Sequence, residues 1–275
     1  MSLPRSVYAE RFRDFADFTF GDAGDAGAFE HRGQWGSFFE KRMGTAFNGR
    51  VILEMGCFDA AYLSNIAAKF PDTAFIGVDW KCKALYDGAQ RIAGFGLRNI
   101  ALLRCRAQDV LKIVAPGEVD EIWVFHPDPC ARDVELKNRL IGEPFLIDVH
   151  QALRDGTSTL SLKTDHPGYY QWVLGLLGLP EPHWFGADAG HRQLASPSPR
   201  LRLRDLMPRQ YIPRYSAAIC SRFEVTMNSS DYWNDPAALA HCAARLFSGN
   251  LTLFETRFVT RQLPIYYLEL RKKSH

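Results

Sequence analysis

The stretch VILEMGCFDAAYL, residues 51–63, decides how the chain folds. It begins with an apolar run, Val51-Ile52-Leu53, that ends in an acid, Glu54, and a glycine, Gly56. Beyond the glycine, Ala60, Ala61, Leu63, Ile66 and Ala67 recur at helical spacing, and Asp59 stands where an N-cap belongs. A buried strand that turns at a glycine into a helix is the opening unit of a doubly wound α/β sheet, and ligands dock at such turns. These turns usually carry two or three glycines. Here Phe58 and Ala60 occupy two of the places where glycine is expected.

The same rhythm continues down the chain. Residues 74–79 (AFIGVD), 99–104 (NIALLR), 121–125 (EIWVF) and 157–163 (TSTLSLK) read as strands. Helices are expected at 82–93, 107–113 and 135–153, the last broken or kinked by Gly142 and Pro144, and Asp165 is placed to cap the next helix. This alternation over residues 50–178 predicts an α/β fold with a doubly wound, mostly parallel sheet. Prolines from Pro180 to Pro213 then interrupt it and mark an insertion at about 179–248, where 236–247 reads as the one clear helix. LTLFETRFV (251–259) and LPIYYLELR (263–271) alternate like a C-terminal antiparallel hairpin. Residues 1–45 have no clear period and read as an N-terminal arm on a domain of residues 46–275.

Composition limits the partners. No apolar stretch reaches the roughly 18 residues that span a bilayer, and the charged opening MSLPRSVYAERFRDF has no apolar core, so neither a membrane anchor nor a secretory leader is expected. Six scattered cysteines without a C-x-x-C pair indicate neither a zinc site nor a disulfide framework, but reduced thiols in a cytoplasmic protein. The net charge of +2 hides local clusters: seven arginines and one acid between Arg192 and Arg222, and a terminal Arg271-Lys272-Lys273. Such clusters suit a polyanion or, more plainly, a solvated loop and tail.

In open parallel sheets the ligand lies beyond the carboxyl ends of the strands. Glu54 and Gly56 end the first strand, and Asp79-Trp80 end the second, where a carboxylate is well placed to accept from ribose hydroxyls. His126-Pro127-Asp128-Pro129 ends the fourth strand, with two prolines fixing the backbone around one acid. Lys163-Thr164-Asp165 ends the fifth. Each acid alone reads equally as a turn or cap residue. Four on one edge repel each other unless a ligand or cation uses them.

These residues carry a resemblance. VILEMGC, FIGVDWKCKAL, GLRNIALL, EIWVFHPDP with Arg132 and then Lys137-Asn138-Arg139-Leu140-Ile141, SLKTD and LTLFETR occur in the order found in the bacterial tRNA (guanine-N7)-methyltransferase family, class I S-adenosylmethionine (SAM) enzymes with a Rossmann-like sheet. The resemblance implies SAM as cofactor and tRNA as partner, with no membrane, in a monomer or homodimer. It places Glu54, Gly56, Asp79, Trp80, Arg106, Ala107 and Asp128 around the cofactor, with Asp128 also catalytic. It places Arg132, Asp165, Thr252 and Glu255 on the substrate side, and no metal. This chain departs from the family at Phe58 and Ala60, at Arg106, at Cys130 and in the 87 positions between Asp165 and Thr252. The departures keep three alternatives open: a same-fold methyltransferase with another substrate, a catalytically impaired RNA-binding homologue and, more remotely, a nicotinamide-dependent dehydrogenase. An active enzyme is expected to bind SAM more weakly than a glycine-rich relative.

Overall fold

Eight strands form one sheet in the computed structural model, which describes residues 4–21, 29–179 and 215–274. They are β1 (Thr19–Phe20), β2 (Val51–Met55), β3 (Ala74–Asp79), β4 (Ile100–Arg104), β5 (Glu121–Phe125), β6 (Thr159–Thr164), β7 (Phe223–Ser229) and β8 (Tyr266–Lys272). Their order across the sheet is β1-β4-β3-β2-β5-β6-β8-β7. Pairing is parallel from β1 to β6, and β8 is antiparallel to both β6 and β7. The helices are α1 (Arg5–Phe12), α2 (Trp35–Met43), α3 (Ala61–Lys69), α4 (Cys82–Phe95), α5 (Val110–Ile113), α6 (Glu143–Ala152), α7 (Pro167–Leu176), α8 (Ala217–Arg222), α9 (Pro236–Cys242) and α10 (Leu253–Thr260).

The strands are apolar along their whole length because both faces are covered. Val51, Leu53 and Met55 join one core with Trp35 and Phe39 of α2, Phe145 and Val149 of α6, and Tyr169 and Val173 of α7. Ile52 turns to the other face, where Leu63 and Ile66 of α3, Leu85 and Ile92 of α4, and Phe247 pack. The period of two repeats in β5, with Ile122 and Val124 on the first face and Trp123 and Phe125 on the second. The expected doubly wound, mostly parallel sheet is therefore found. Strand order reverses between β2 and β5, so the ligand edge lies over the ends of these two neighbours.

Several local expectations are corrected. LTLFETRFV is not a strand: Thr252 accepts from the Glu255 N–H and Glu255 accepts from the Thr252 N–H, a capping box that starts α10. The antiparallel partners of β8 are β6 and β7, the latter inside the stretch read as an insertion. The same stretch also holds α8, and its expected helix closes at Cys242. The segment carrying α9 is tied to the sheet by buried Glu269 of β8, which accepts from Arg245 at 2.6 Å and faces His241 at 2.9 Å. The helix expected at 135–153 splits into a 3-10 turn, Asp133–Asn138, and α6, with Gly142 as N-cap and Pro144 in the first turn. Asp59 and Asp165 are not N-caps. Ala60 and His166 are, and His166 Nδ1 accepts from the Tyr169 N–H.

Candidate functional site

The loop after β2 is shaped as though it carried glycines. Gly56 has φ +88°, and the two non-glycine residues Phe58 and Ala60 also lie in the left-handed region at +52° and +50°. An L side chain there strains the backbone, so the surroundings must impose the shape. They do so from several sides. The N–H groups of Gly56 and Cys57 both donate to the Val78 carbonyl, at 2.7 and 3.0 Å. The Phe58 N–H donates to Asp79 Oδ2 at 2.9 Å. Arg91 of α4 donates to the Asp59 carbonyl at 2.6 Å. Gly88 lets α4 approach so closely that a Cβ there would sit 2.7 Å from that same carbonyl oxygen. The Phe58 ring lies outside the core. It is 44% exposed, and the Lys81 ammonium stands 5.5 Å from its centre.

The loop after β5, on the adjacent strand, repeats this feature. His126 and Cys130 have φ +53° and +44° and bracket Pro127-Asp128-Pro129. Four of the five non-glycine residues with positive φ among the described residues thus lie at the ends of β2 and β5, the two sides of the topological switch. Strain of this kind collects at functional sites. Asp128 is exposed at the crest of the loop and accepts weakly from the Cys130 N–H, at 3.2 Å. Beneath it, the buried Arg139 guanidinium donates to the Pro129 and Gly168 carbonyls at 3.0 and 3.1 Å and lies against the Tyr169 and Trp172 rings. In the sequence Arg139 stands only within the run Lys137-Asn138-Arg139-Leu140-Ile141. Its role as the clamp of the Pro-Asp-Pro loop depends on contacts that spacing does not reveal.

The four acids fall into distinct surroundings. Glu54 is buried, and one of its carboxyl oxygens has no hydrogen-bond partner among the described residues. Burial first, then the neighbouring Asp79 and Asp59, push its pKa up to about 8. Burial also raises the Asp79 carboxyl, against hydrogen bonds from the Lys81 and Phe58 N–H groups. Each Asp79 oxygen takes one of those N–H groups, which leaves acceptor capacity on both. Asp165 pairs with His126 Nδ1 at 3.2 Å. Burial acts to raise the Asp165 carboxyl, but the His126 hydrogen bond and charge outweigh it and hold it below the usual range. Asp128 is the exposed member.

The remaining expected residues divide. Trp80 is 55% exposed beyond β3, and Arg106 and Ala107 follow β4, so all three lie on the half of the edge formed by β2, β3 and β4. Arg132 is exposed and paired with Glu135, which raises its already high pKa. Thr252 and Glu255 are buried and occupied by each other. Glu255 Oε1 also lies 2.9 Å from the fully buried Lys163 ammonium, an ion pair without hydrogen-bond alignment, and accepts from Trp233 Nε1 at 3.2 Å. The rings of Phe125, Tyr232, Trp233 and Phe247 surround that ammonium at 4.6–5.4 Å. Burial would raise the Glu255 carboxyl, but the Lys163 charge, followed by His126 and the Thr252 N–H, holds it low.

Among the described residues, the basic side chains of the C-terminal cluster are each tied into the fold. Arg271 pairs with Glu224, Lys272 donates to the Leu153 carbonyl and Lys273 to the Cys220 carbonyl. Of the run from Arg192 to Arg222, only Arg222 lies within the described residues, and it donates to the Ala218 carbonyl.

Residues 48–181 match the family described as "Putative methyltransferase". The curated tRNA (guanine-N(7)-)-methyltransferase of Cytophaga hutchinsonii is 33% identical over 147 residues, 54% of this chain and 63% of that one. The protein of the same name from Christiangramia forsetii is 35% identical over 150 residues, 54% of this chain and 64% of the other. The chain thus spans a little under two thirds of the length of these relatives. Among solved structures, the antibiotic-resistance methyltransferase Kmr is 15% identical, covering 87% of this chain and 93% of that one at a TM-score of 0.48.

Proposed function

We propose that this chain, which matches the family described as "Putative methyltransferase" over residues 48–181 and resembles the curated tRNA (guanine-N(7)-)-methyltransferases, transfers a methyl group from SAM to N7 of a guanine in tRNA in the cytoplasm. The observation that carries this reading is the switch-point edge itself. Two adjacent strands end there in loops held in strained backbone, one beside a buried carboxyl with an unmatched oxygen and the other presenting an exposed acid between two prolines.

The residues present fit the cofactor. Glu54 and Asp79 are acceptors suited to ammonium and hydroxyl groups. Gly56 leaves open space where a Cβ would project, with no atom of the described residues within 4 Å beyond its chain neighbours. Trp80 and the Arg106-Ala107 turn supply the adenine side. When bound, SAM supplies an electrophilic methyl group on a positively charged sulfur.

Guanine N7 has its own lone pair, so no side chain must remove a proton before attack. What the protein contributes is position. Asp128 accepts from the guanine N1–H and amino group and offsets the positive charge that grows on the ring as the bond forms. Arg139 keeps that acid in place through the Pro129 carbonyl. Arg132 exchanges Glu135 for a phosphate. Asp165 fixes His126, while Thr252 and Glu255 fix the start of α10, so these three act on the substrate side through their neighbours.

The test is calorimetric titration with SAM, followed by methyl transfer to unmodified tRNA with the product mapped to guanine N7. Binding and N7 transfer are expected, and Asp128→Ala should lower kcat by roughly a hundredfold or more while SAM still binds. No binding at millimolar SAM sinks the enzyme reading, and full transfer by Asp128→Ala removes that acid from the mechanism.

A further inference from the structure

Among the described residues, five aromatic side chains are large and exposed: Phe58, Trp80, Phe95, Tyr215 and Phe254. Three of them stand at the carboxyl edge of the sheet. Phe58 and Trp80 follow β2 and β3, on the half that carries Glu54 and Asp79. Phe254 stands on the other half. Its ring is stacked on the His126 imidazole, with centroids 5.7 Å apart and planes at 27°, and the residue is 45% exposed. One side of the ring is backed by protein, and the remainder meets solvent.

This ring is more rigidly supported than an exposed side chain needs to be. The His126 side chain beneath it is 3% exposed, its Nδ1 is held by Asp165 at 3.2 Å, and its N–H donates to the Lys163 carbonyl at 2.8 Å. The backbone of Phe254 is the second residue of α10, fixed by the Thr252–Glu255 capping box. Glu255 is anchored in turn to buried Lys163. Both the imidazole and the helix start therefore rest on the end of β6. Leaving nearly half of a phenylalanine in water forgoes burial energy, and packing alone gives no reason to hold it so firmly beside the Pro-Asp-Pro loop.

We propose that Phe254 is the stacking platform for the target base: a purine drawn out of RNA lies on its exposed side and extends the stack to base, Phe254 and His126. This rests on the reading that the chain methylates a guanine in RNA. A base taken out of its helix loses its stacking partners, and an aromatic platform restores part of that energy. Every base has a π-face, so the platform supplies affinity while Asp128 reads the edge.

In steady-state methylation of unmodified tRNA, Phe254→Ala is expected to raise KM for RNA roughly ten- to a hundredfold. SAM affinity by calorimetry should stay at the wild-type value. Phe254→Tyr should keep KM within about threefold of wild type, because the face is retained. Phe254→Leu, which keeps apolar bulk against His126, should not. Equal KM values for the leucine and tyrosine variants would overturn the platform in favour of simple packing, as would wild-type KM in Phe254→Ala. Thermal melts of each variant report on folding. A second probe, a short single-stranded RNA bearing one 2-aminopurine, separates this inference from the reaction. If wild type methylates no RNA, the reaction reading fails. Fluorescence quenching by wild type and Phe254→Tyr but not Phe254→Leu then upholds the platform, whereas equal quenching by all three, or none by any, overturns it.

Discussion

Phe58 shows how a glycine motif can be lost in sequence and kept in shape. Its φ of +52° is the conformation a glycine would have supplied, imposed here by the Asp79 carboxylate and the close approach of α4. The strain costs about 1–2 kcal/mol for an L residue. Glycine relieves it but gains freedom in the unfolded chain, roughly 0.5–1 kcal/mol, and forgoes the contact with Lys81. Phe58→Gly is therefore expected to match wild type in denaturant unfolding or exceed it by up to about 1 kcal/mol. Phe58→Val should lose about 1 kcal/mol or more, because a β-branched side chain tolerates positive φ least. Equal stability of the glycine and valine variants would show that the loop is free to adopt negative φ. Phe58 is legible in the sequence, with Ala60, as a residue in a glycine's place, but the sign of its φ is not, because that sign is set by Asp79, Arg91 and Gly88, residues 21 to 33 positions away.

At the scale of elements, strands whose neighbours cover both faces were legible, because continuous apolar runs such as Ala74–Asp79 and Glu121–Phe125 leave little freedom of reading. The C-terminal helix was not. LTLFETRFV alternates well enough to pass for a strand, and the Thr252-x-x-Glu255 capping signature outweighs that alternation. Strand β7 was hidden for a related reason: its burial pattern is mixed, as befits an edge, so its sequence lacks a buried strand's signature. The capping box also makes Glu255 an anchor of α10, since both of its oxygens have partners inside the protein. Breaking a buried ion pair by removing one partner typically costs about 3–5 kcal/mol. Lys163→Met is thus expected to destabilise by about 3 kcal/mol or more, and adding Glu255→Gln, which keeps a side-chain acceptor for the Thr252 N–H, should recover a large part of the loss. Additive losses in this double-mutant cycle would mean that the two side chains do not interact.

For the whole molecule, the doubly wound sheet brings Glu54, Asp79, Asp128 and Asp165 to one edge from positions spread over 111 residues, and this convergence was legible because strand ends can be counted. Their protonation was not, because it depends on burial. The consequence of Glu54 is global. Its pKa is near 4.5 ordinarily and about 8 in the fold, so between those values the unfolded chain gives up a proton that the folded chain keeps. Stability from this group is complete below about pH 4.5 and falls as pH rises towards 8, by up to about 1.4 kcal/mol per pH unit. Glu54→Gln removes that slope. Chemical unfolding of the cofactor-free protein should find the variant close to wild type at pH 5 and clearly more stable at pH 8, and the difference between the two proteins cancels the slopes of Asp79 and other shared groups. A ligand ammonium or hydroxyl that favours the ionised carboxylate reverses the sign for binding: SAM affinity of wild type should rise between pH 6 and pH 8 with release of a proton, and that of Glu54→Gln should be lower and rise less steeply. Calorimetry in two buffers of different ionisation enthalpy reads the proton directly. Proton release that persists unchanged in Glu54→Gln would place the titrating group elsewhere on the edge, with Asp79 the next carboxyl to examine.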